Sequence, residues 1–254
     1  MFHLPADFYA STNDFLYEIE RNSFKNETIL IKGARDFHFE RISNALQQQA
    51  HRTVLEVDLT ALVHNLNYYR SLLQPNTKLT VMVKAFSYGS GSVEVARLLQ
   101  YHRVDYLAVA IADEGVELRN AGITTPIIVM NPELHSFQVM IEYGLEPEIY
   151  GLDILQNFEK ALKKAGVENY PVHIKLDTGM HRMGFMQHDL DELIRTIAPN
   201  KHFHIRSLFS HLAGADETVH DNFTLQQIEL FEKWCKKISS NFSYAIDRHI
   251  LNSA

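Results

Sequence analysis

The chain has 254 residues, 46% of them hydrophobic and 22% charged, a composition that excludes disorder as the main state and suits one large or two modest domains. A formal net charge of -7, with no block rich in Lys or Arg, excludes a nucleic-acid or anionic-membrane surface, because such partners need a basic excess. The lone cysteine, Cys235, cannot form an internal disulfide, Met1 to Ala10 lacks a signal-peptide pattern, and no run reaches the ~18 apolar residues of a spanning helix. The expected location is the cytoplasm, with no membrane and no nucleic acid among the partners.

In chain order, Glu27 to Lys32 is a β-branched run ending at Gly33 and is expected to form a strand. Phe39 to Gln49 reads as a helix with Ile42, Ala45 and Leu46 on one face, and Gln47 to Ala50 reads as a connector. One strand and one helix are too little to stand alone, so a boundary is expected near residue 51, with a new pattern from Thr53. Beyond it, short apolar runs at Leu79–Val83, Tyr106–Ala110, Ile127–Met130, Leu145–Tyr150, Val172–Leu176, Ile205–Ser210 and His249–Leu251 alternate with helical patterns. The clearest of those helices are Val93–Gln100, Ala112–Ala121, Leu152–Ala165 and Thr224–Lys237. Such alternation implies parallel strands joined by crossovers, either as a TIM-like α/β barrel or as an open doubly wound sheet. Chemically capable residues recur at the ends of many different runs and no G-x-G-x-x-G turn occurs, which favours the barrel. With seven runs, the chain reads as a (β/α)8 barrel truncated before its eighth strand.

Lys84 follows Thr80-Val-Met-Val83 and precedes Ala85-Phe-Ser-Tyr-Gly-Ser-Gly91. A lysine at the end of a buried strand is desolvated, which favours the neutral amine needed to form an imine with an aldehyde cofactor. The glycines allow a tight turn, and Tyr88 is placed to hydrogen-bond a phosphate. Taken alone, Lys84 reads first as a strand-end lysine that reaches solvent along its own methylenes, and the surrounding motif reverses that reading. Of the 14 histidines, His202 and His204 point to one side near a strand, but no Cys or carboxylate pattern completes a metal site.

The segment Val83 to Gly91 resembles the alanine racemase signature V-K-A-D-A-Y-G-H-G, with departures at Phe86, Ser87 and Ser90. Lys175-Leu-Asp-Thr-Gly-Met-His-Arg-Met-Gly-Phe185 resembles that family's K-x-D-T-G-M-x-R-x-G-F element, and Ser210 to Asp216 resembles S-H-F-A-x-A-D. A fourth element, Asn252-Ser-Ala254, completes the family's order. The resemblance implies that pyridoxal 5'-phosphate is held by Lys84 as a Schiff base, with Lys84 also one of two bases in racemising alanine. It implies further that Tyr88 and Ser253 contact the phosphate, that Arg182 faces the phenolic oxygen, and that His211 and Asn252 line the cofactor pocket. Lys175 matches a position that is carbamylated in many members and orients the arginine. Alternatives stay open for each: Arg182 paired with Asp177, His211 as a satisfied core histidine, Lys175 as an unmodified structural lysine, Tyr88 and Ser253 in ordinary turn and cap chemistry. Alternatives for the whole are a non-catalytic cofactor-binding barrel, a fold-related amino-acid decarboxylase or D-amino-acid aldolase, and a structural interaction domain.

In the family, the second base is a tyrosine in a partner subunit's C-terminal domain, so a homodimer is expected of the full-length protein and little activity of these residues alone. Residues 1–51 carry a resemblance of their own. Phe8 to Leu16, Ile29 to Arg35 and Phe39 to Ile42 resemble the C-terminal end of the ligase that joins D-alanyl-D-alanine to UDP-N-acetylmuramoyl-tripeptide. The implied arrangement is a ligase remnant with linker over 1–51 and an incomplete racemase barrel over 52–254, from a bifunctional protein of peptidoglycan synthesis. No phosphate-binding Gly-Lys-Ser/Thr loop occurs, so the remnant is not expected to bind ATP.

Overall fold

The computed structural model describes residues 7–19, 28–46, 56–88 and 91–252. The chain divides into two compact units, 1–54 and 55–254. The expected connector Gln47–Ala50 and the expected boundary near residue 51 lie outside the described residues.

The first unit contains α1 (Thr12–Ile19) and α2 (Glu40–Leu46). Ser11 begins α1: its hydroxyl accepts from the Asp14 amide at 3.2 Å, and the Asp14 carboxylate accepts in return from that hydroxyl at 2.8 Å. The Thr12 hydroxyl donates to the Phe37 carbonyl at 2.6 Å, tying α1 to the turn that leads into α2, whose Ile42 is buried. Residues 28–32 form no strand, contrary to the sequence expectation. A β-branched run becomes a strand only where a neighbour completes its ladder, and Leu30 here is 87% exposed.

The second unit opens with α3 (Leu59–Leu72), capped by Asp58, whose carboxylate accepts from the amides of Thr60 and Ala61. Strands and helices then alternate: β1 (Thr80–Met82), α4 (Lys84–Tyr88), α5 (Ser92–Tyr101), β2 (Tyr106–Val109), α6 (Ala112–Asn120), β3 (Ile127–Val129) and α7 (Phe137–Glu142). They continue with β4 (Glu146–Ile149), α8 (Leu152–Ala165), β5 (Tyr170–Lys175), α9 (Leu190–Ile197), β6 (Phe203–His211), α10 (Asp221–Ser239) and β7 (Asp247–Leu251). All seven expected strands form, and they lie side by side in sequence order, every neighbouring pair parallel.

An order without reversal has no switch point, which separates this sheet from a doubly wound one. The sheet curls into an open barrel. Lys78, just before β1, pairs with Asp247 at the start of β7 at 2.5 Å, drawing the two edge strands together at their N-terminal ends.

Alternation along the strands sorts their side chains into two environments. Leu107, Val109, Ile127, Val129, Val172, Ile174 and Leu208 join Leu99, Leu118, Leu155 and Phe158 from the helices in the apolar core. Phe158 packs edge-on against Phe137 and Tyr170, and the Tyr170 hydroxyl lies 2.8 and 2.9 Å from the carbonyls of Met140 and Leu145, meeting the need of a buried phenol for a polar partner. The other face is polar: Glu146, Glu148, His173, Lys175 and Ser207 are all buried. His173 lies 2.8 Å from a Glu146 oxygen and 2.7 Å from the Ser207 hydroxyl, so both ring nitrogens are satisfied. Burial and nearby His173 push His249, on the last strand, down to about 4. Among the described residues no helix is long and apolar enough to cross a membrane.

Candidate active site

Lys84 begins α4 directly after the buried Val83, so its side chain starts at the C-terminal end of β1. Ala85 and Ser87, both bearing a Cβ, hold φ values of 52° and 53° in the left-handed region. Such a conformation costs about 1 kcal/mol or more per residue and persists where surrounding contacts demand it. The demanding contact here is Glu114, in the first turn of α6. Its carboxylate accepts from the Ala85 amide at 2.7 Å and from the Ala110 amide at 2.7 Å, clamping the turn after β1 to the turn after β2. Hydrogen bonds to a charged group are worth roughly 1.5–3 kcal/mol each, enough to offset the strain of the turn that carries Lys84. The side chain of Tyr88 lies outside the described residues.

Lys175 ends β5 and is buried. Its Nζ lies 2.9 Å from Oε1 of the fully buried Glu148 on β4 and 5.5 Å from the centre of the Phe209 ring on β6. The loop that follows carries Arg182 and is held at several points. The Asp177 carboxylate accepts from the amides of Gly179 and His181, while the backbone of Phe185 returns to pair with Lys175 and Asp177. The Thr178 and Ser210 hydroxyls meet at 2.8 Å, and Ser210 also donates to the Leu176 carbonyl at 2.7 Å. Gln227 of α10 donates to the His211 carbonyl and accepts from the Ala213 amide. Gly184, at φ 134°, closes the loop so tightly that a Cβ would sit 2.6 Å from the Asp177 nitrogen. Asp177 is thus occupied by backbone amides, and Arg182 is exposed, without a hydrogen bond or ion pair among the described residues.

His211 ends β6, and Asn252 follows β7 directly. Burial first, then the positive charges of Arg182, Lys175 and Lys84, hold the His211 imidazole below its ordinary value. The three cations come from the ends of two different strands and the loop after one of them, yet they act on one imidazole at the end of a third strand, at the C-terminal mouth of the barrel. Of the seven residues singled out in the sequence, Lys84, Lys175, Arg182 and His211 gather there, Asn252 stands at the same end of the sheet, and the Tyr88 side chain and Ser253 lie outside the described residues. His202 and His204 are engaged elsewhere, the first with the Val167 carbonyl at 2.7 Å and the second stacked on Tyr244.

A family model described as alanine racemase, N-terminal domain, matches residues 57–254. The chain belongs to that family. It is 36% identical over 193 residues to an alanine racemase of Synechocystis, covering 74% of this chain and 50% of that protein. To one of Methanococcus maripaludis it is 32% identical, covering 81% and 55%. Among solved structures, the alanine racemase of Clostridium difficile 630 superposes with a TM-score of 0.71 at 34% identity over 80% of this chain and 54% of that one. The chain spans about half the length of the curated relatives it matches.

Alanine racemases use pyridoxal 5'-phosphate, a cofactor bearing an aldehyde, a phenolic oxygen and a phosphate ester. Lys84, Lys175 and Arg182 around His211 form a donor set of amine and cationic groups that fits these anionic and electrophilic functions. Buried Ser87, whose hydroxyl has no hydrogen-bond partner among the described residues, lies three residues past Lys84 and suits an oxygen-rich ligand.

Two residues of this racemase barrel escaped the sequence reading. Glu114 was signalled by its place in the first turn of a helix, where a carboxylate collects free amides. Glu148 was signalled by two carboxylates, Glu146 and Glu148, at alternate positions of a run too buried to leave charges unpaired.

Proposed function

We propose that residues 57–254 form the pyridoxal-phosphate-binding barrel of an enzyme that interconverts L- and D-alanine. The observation that carries this reading is the convergence of Lys84, Lys175 and Arg182 on His211 at the strand C-termini, where barrel enzymes build their sites. When bound, the cofactor supplies an electron sink for the charge left on the α-carbon once its proton departs.

The rest falls to side chains. Lys84 would hold the cofactor through its amine, and the same amine would move a proton on one face of the α-carbon. Arg182 would face the phenolic oxygen, helped by a loop that Asp177, Thr178 and Gly184 keep in one conformation. His211, kept neutral by burial and its cationic neighbours, can lie against the ring without adding another positive charge. Asn252 would line the pocket, and Tyr88 and Ser253 would contact the phosphate. The second base is assigned to a partner subunit's C-terminal domain, which makes the working enzyme a homodimer. Residues 1–51 are assigned to the end of a muramoyl-tripeptide ligase, which makes the parent a bifunctional, cytoplasmic enzyme of peptidoglycan synthesis.

The test is the visible spectrum of the purified chain titrated with pyridoxal phosphate, before and after Lys84→Ala. A saturable absorption band that vanishes in the variant supports the site. No band in the unsubstituted chain, or an undiminished band in the variant, defeats the assignment of Lys84.

A further inference from the structure

Lys175 has an unusual neighbour for a lysine expected to carry a carbamate. Glu148, on the adjacent strand β4, is fully buried with its Oε1 2.9 Å from Lys175 Nζ. Among the described residues neither carboxylate oxygen has a directional hydrogen bond, so the ammonium of Lys175 is the contact that compensates this buried charge. On its other side Nζ lies 5.5 Å from the Phe209 ring centre, where a cation is favoured over an anion.

Carbamate formation joins the lysine nitrogen to the carbon of carbon dioxide and releases one N–H proton, leaving an anion where the ammonium had been. The step requires the unprotonated amine, and an ionised carboxylate at 2.9 Å favours the protonated one. Its product would set two anions side by side in a region where Glu148 has no exposure at all. Like charges so placed oppose ionisation strongly.

We infer that Lys175 functions as an ammonium paired with Glu148, and that Glu148, not a carbamate, supplies the fixed negative charge beneath Arg182 in this barrel. Glu148 is then a positioning residue: it acts on the site through Lys175 and through its field at Arg182. Burial raises the Glu148 carboxyl to about 7, while Lys175 and Arg182 both pull it back down, so it is ionised in mildly alkaline solution. The inference rests on the racemase reading for its functional meaning, but the charge state of Lys175 is measurable without the cofactor.

The experiment uses the full chain at a pH above that of the Glu148 transition, labelled at lysine nitrogen and equilibrated with carbon-13 bicarbonate. A protected Nζ cross-peak at an ammonium shift, absent from Lys175→Arg, together with no carbamate carbonyl signal, is the expected result. A carbamate carbonyl that Lys175→Arg removes overturns the inference, and so does a neutral-amine shift at Lys175 Nζ. The unsubstituted chain decides the matter, so poor folding of a variant leaves the outcome readable. Loss of the visible band in the cofactor titration would instead count against the racemase reading and would leave the Lys175 result standing.

Discussion

Replacing Lys175 with Met leaves the buried Glu148 without its counter-charge, and the cost can be worked from the pair itself. Even with Lys175 at 2.9 Å, burial holds the Glu148 carboxyl at about 7 against an ordinary 4.5. At roughly 1.4 kcal/mol per pH unit, that displacement corresponds to about 3 kcal/mol of disfavoured ionisation remaining after the lysine has contributed. Removing one member of a buried ion pair costs about 3–5 kcal/mol, whereas replacing both by apolar groups of similar volume is neutral or stabilising by about 1–4 kcal/mol. Lys175→Met is therefore expected to lose about 3 kcal/mol in mildly alkaline solution, and Glu148→Leu with Lys175→Met to recover most or all of it. The pH dependence has a definite sign. Between 4.5 and about 7 the folded chain keeps a proton on Glu148 that the unfolded chain has released, so this group's contribution is full below 4.5 and is lost as pH rises through about 7. Glu148→Gln should then make the stability-versus-pH slope more positive across that interval. Urea unfolding of the unsubstituted chain, both single variants and the double variant, at the two ends of the interval, measures all of this. A Lys175→Met cost under about 0.5 kcal/mol, or a double variant no better than the sum of the singles, would refute the coupling.

Gly184→Ala meets the Asp177 backbone nitrogen at 2.6 Å from a φ of 134°, and should cost about 2 kcal/mol or more while weakening cofactor binding through the Arg182 loop. Gly122→Ala, with nothing within 4 Å of its Cβ, is the control for positive φ alone and should leave binding intact. Glu114→Ala removes the two carboxylate–amide bonds that clamp the turn carrying Lys84 to the turn after β2, with an expected loss of about 2–4 kcal/mol and a weaker visible band in the spectral titration. Arg182→Ala, at an exposed side chain without an ion pair among the described residues, should change stability by less than about 0.5 kcal/mol yet lower cofactor affinity. The same change removes one of the cations that hold His211 down, so the His211 titration followed by NMR should move upward.

The strands were legible because in this barrel they are short runs, the first three largely apolar, separated by helical patterns, and α8 begins and ends where its pattern does. The order of the strands followed from one chemical observation, that capable residues end many runs rather than one. Residues 28–32 show the limit of the same logic: their β-branched composition is a property of the segment, whereas a strand is a property of a pair. The site divides along similar lines. Lys84, Arg182 and His211 stand in local motifs, so a linear reading finds them, and the fold adds only that they share one mouth. The Lys175–Glu148 pair belongs to no motif, because its members are 27 residues apart and meet through the register of β4 against β5. What the sequence did carry was an anomaly, a glutamate at an inward position of a strand whose every residue is buried. A charge in such a place must find a partner or lose its ionisation. The partner it finds is the lysine whose chemical state the motif alone left open, so the fold answers through a neighbour what the local sequence could not.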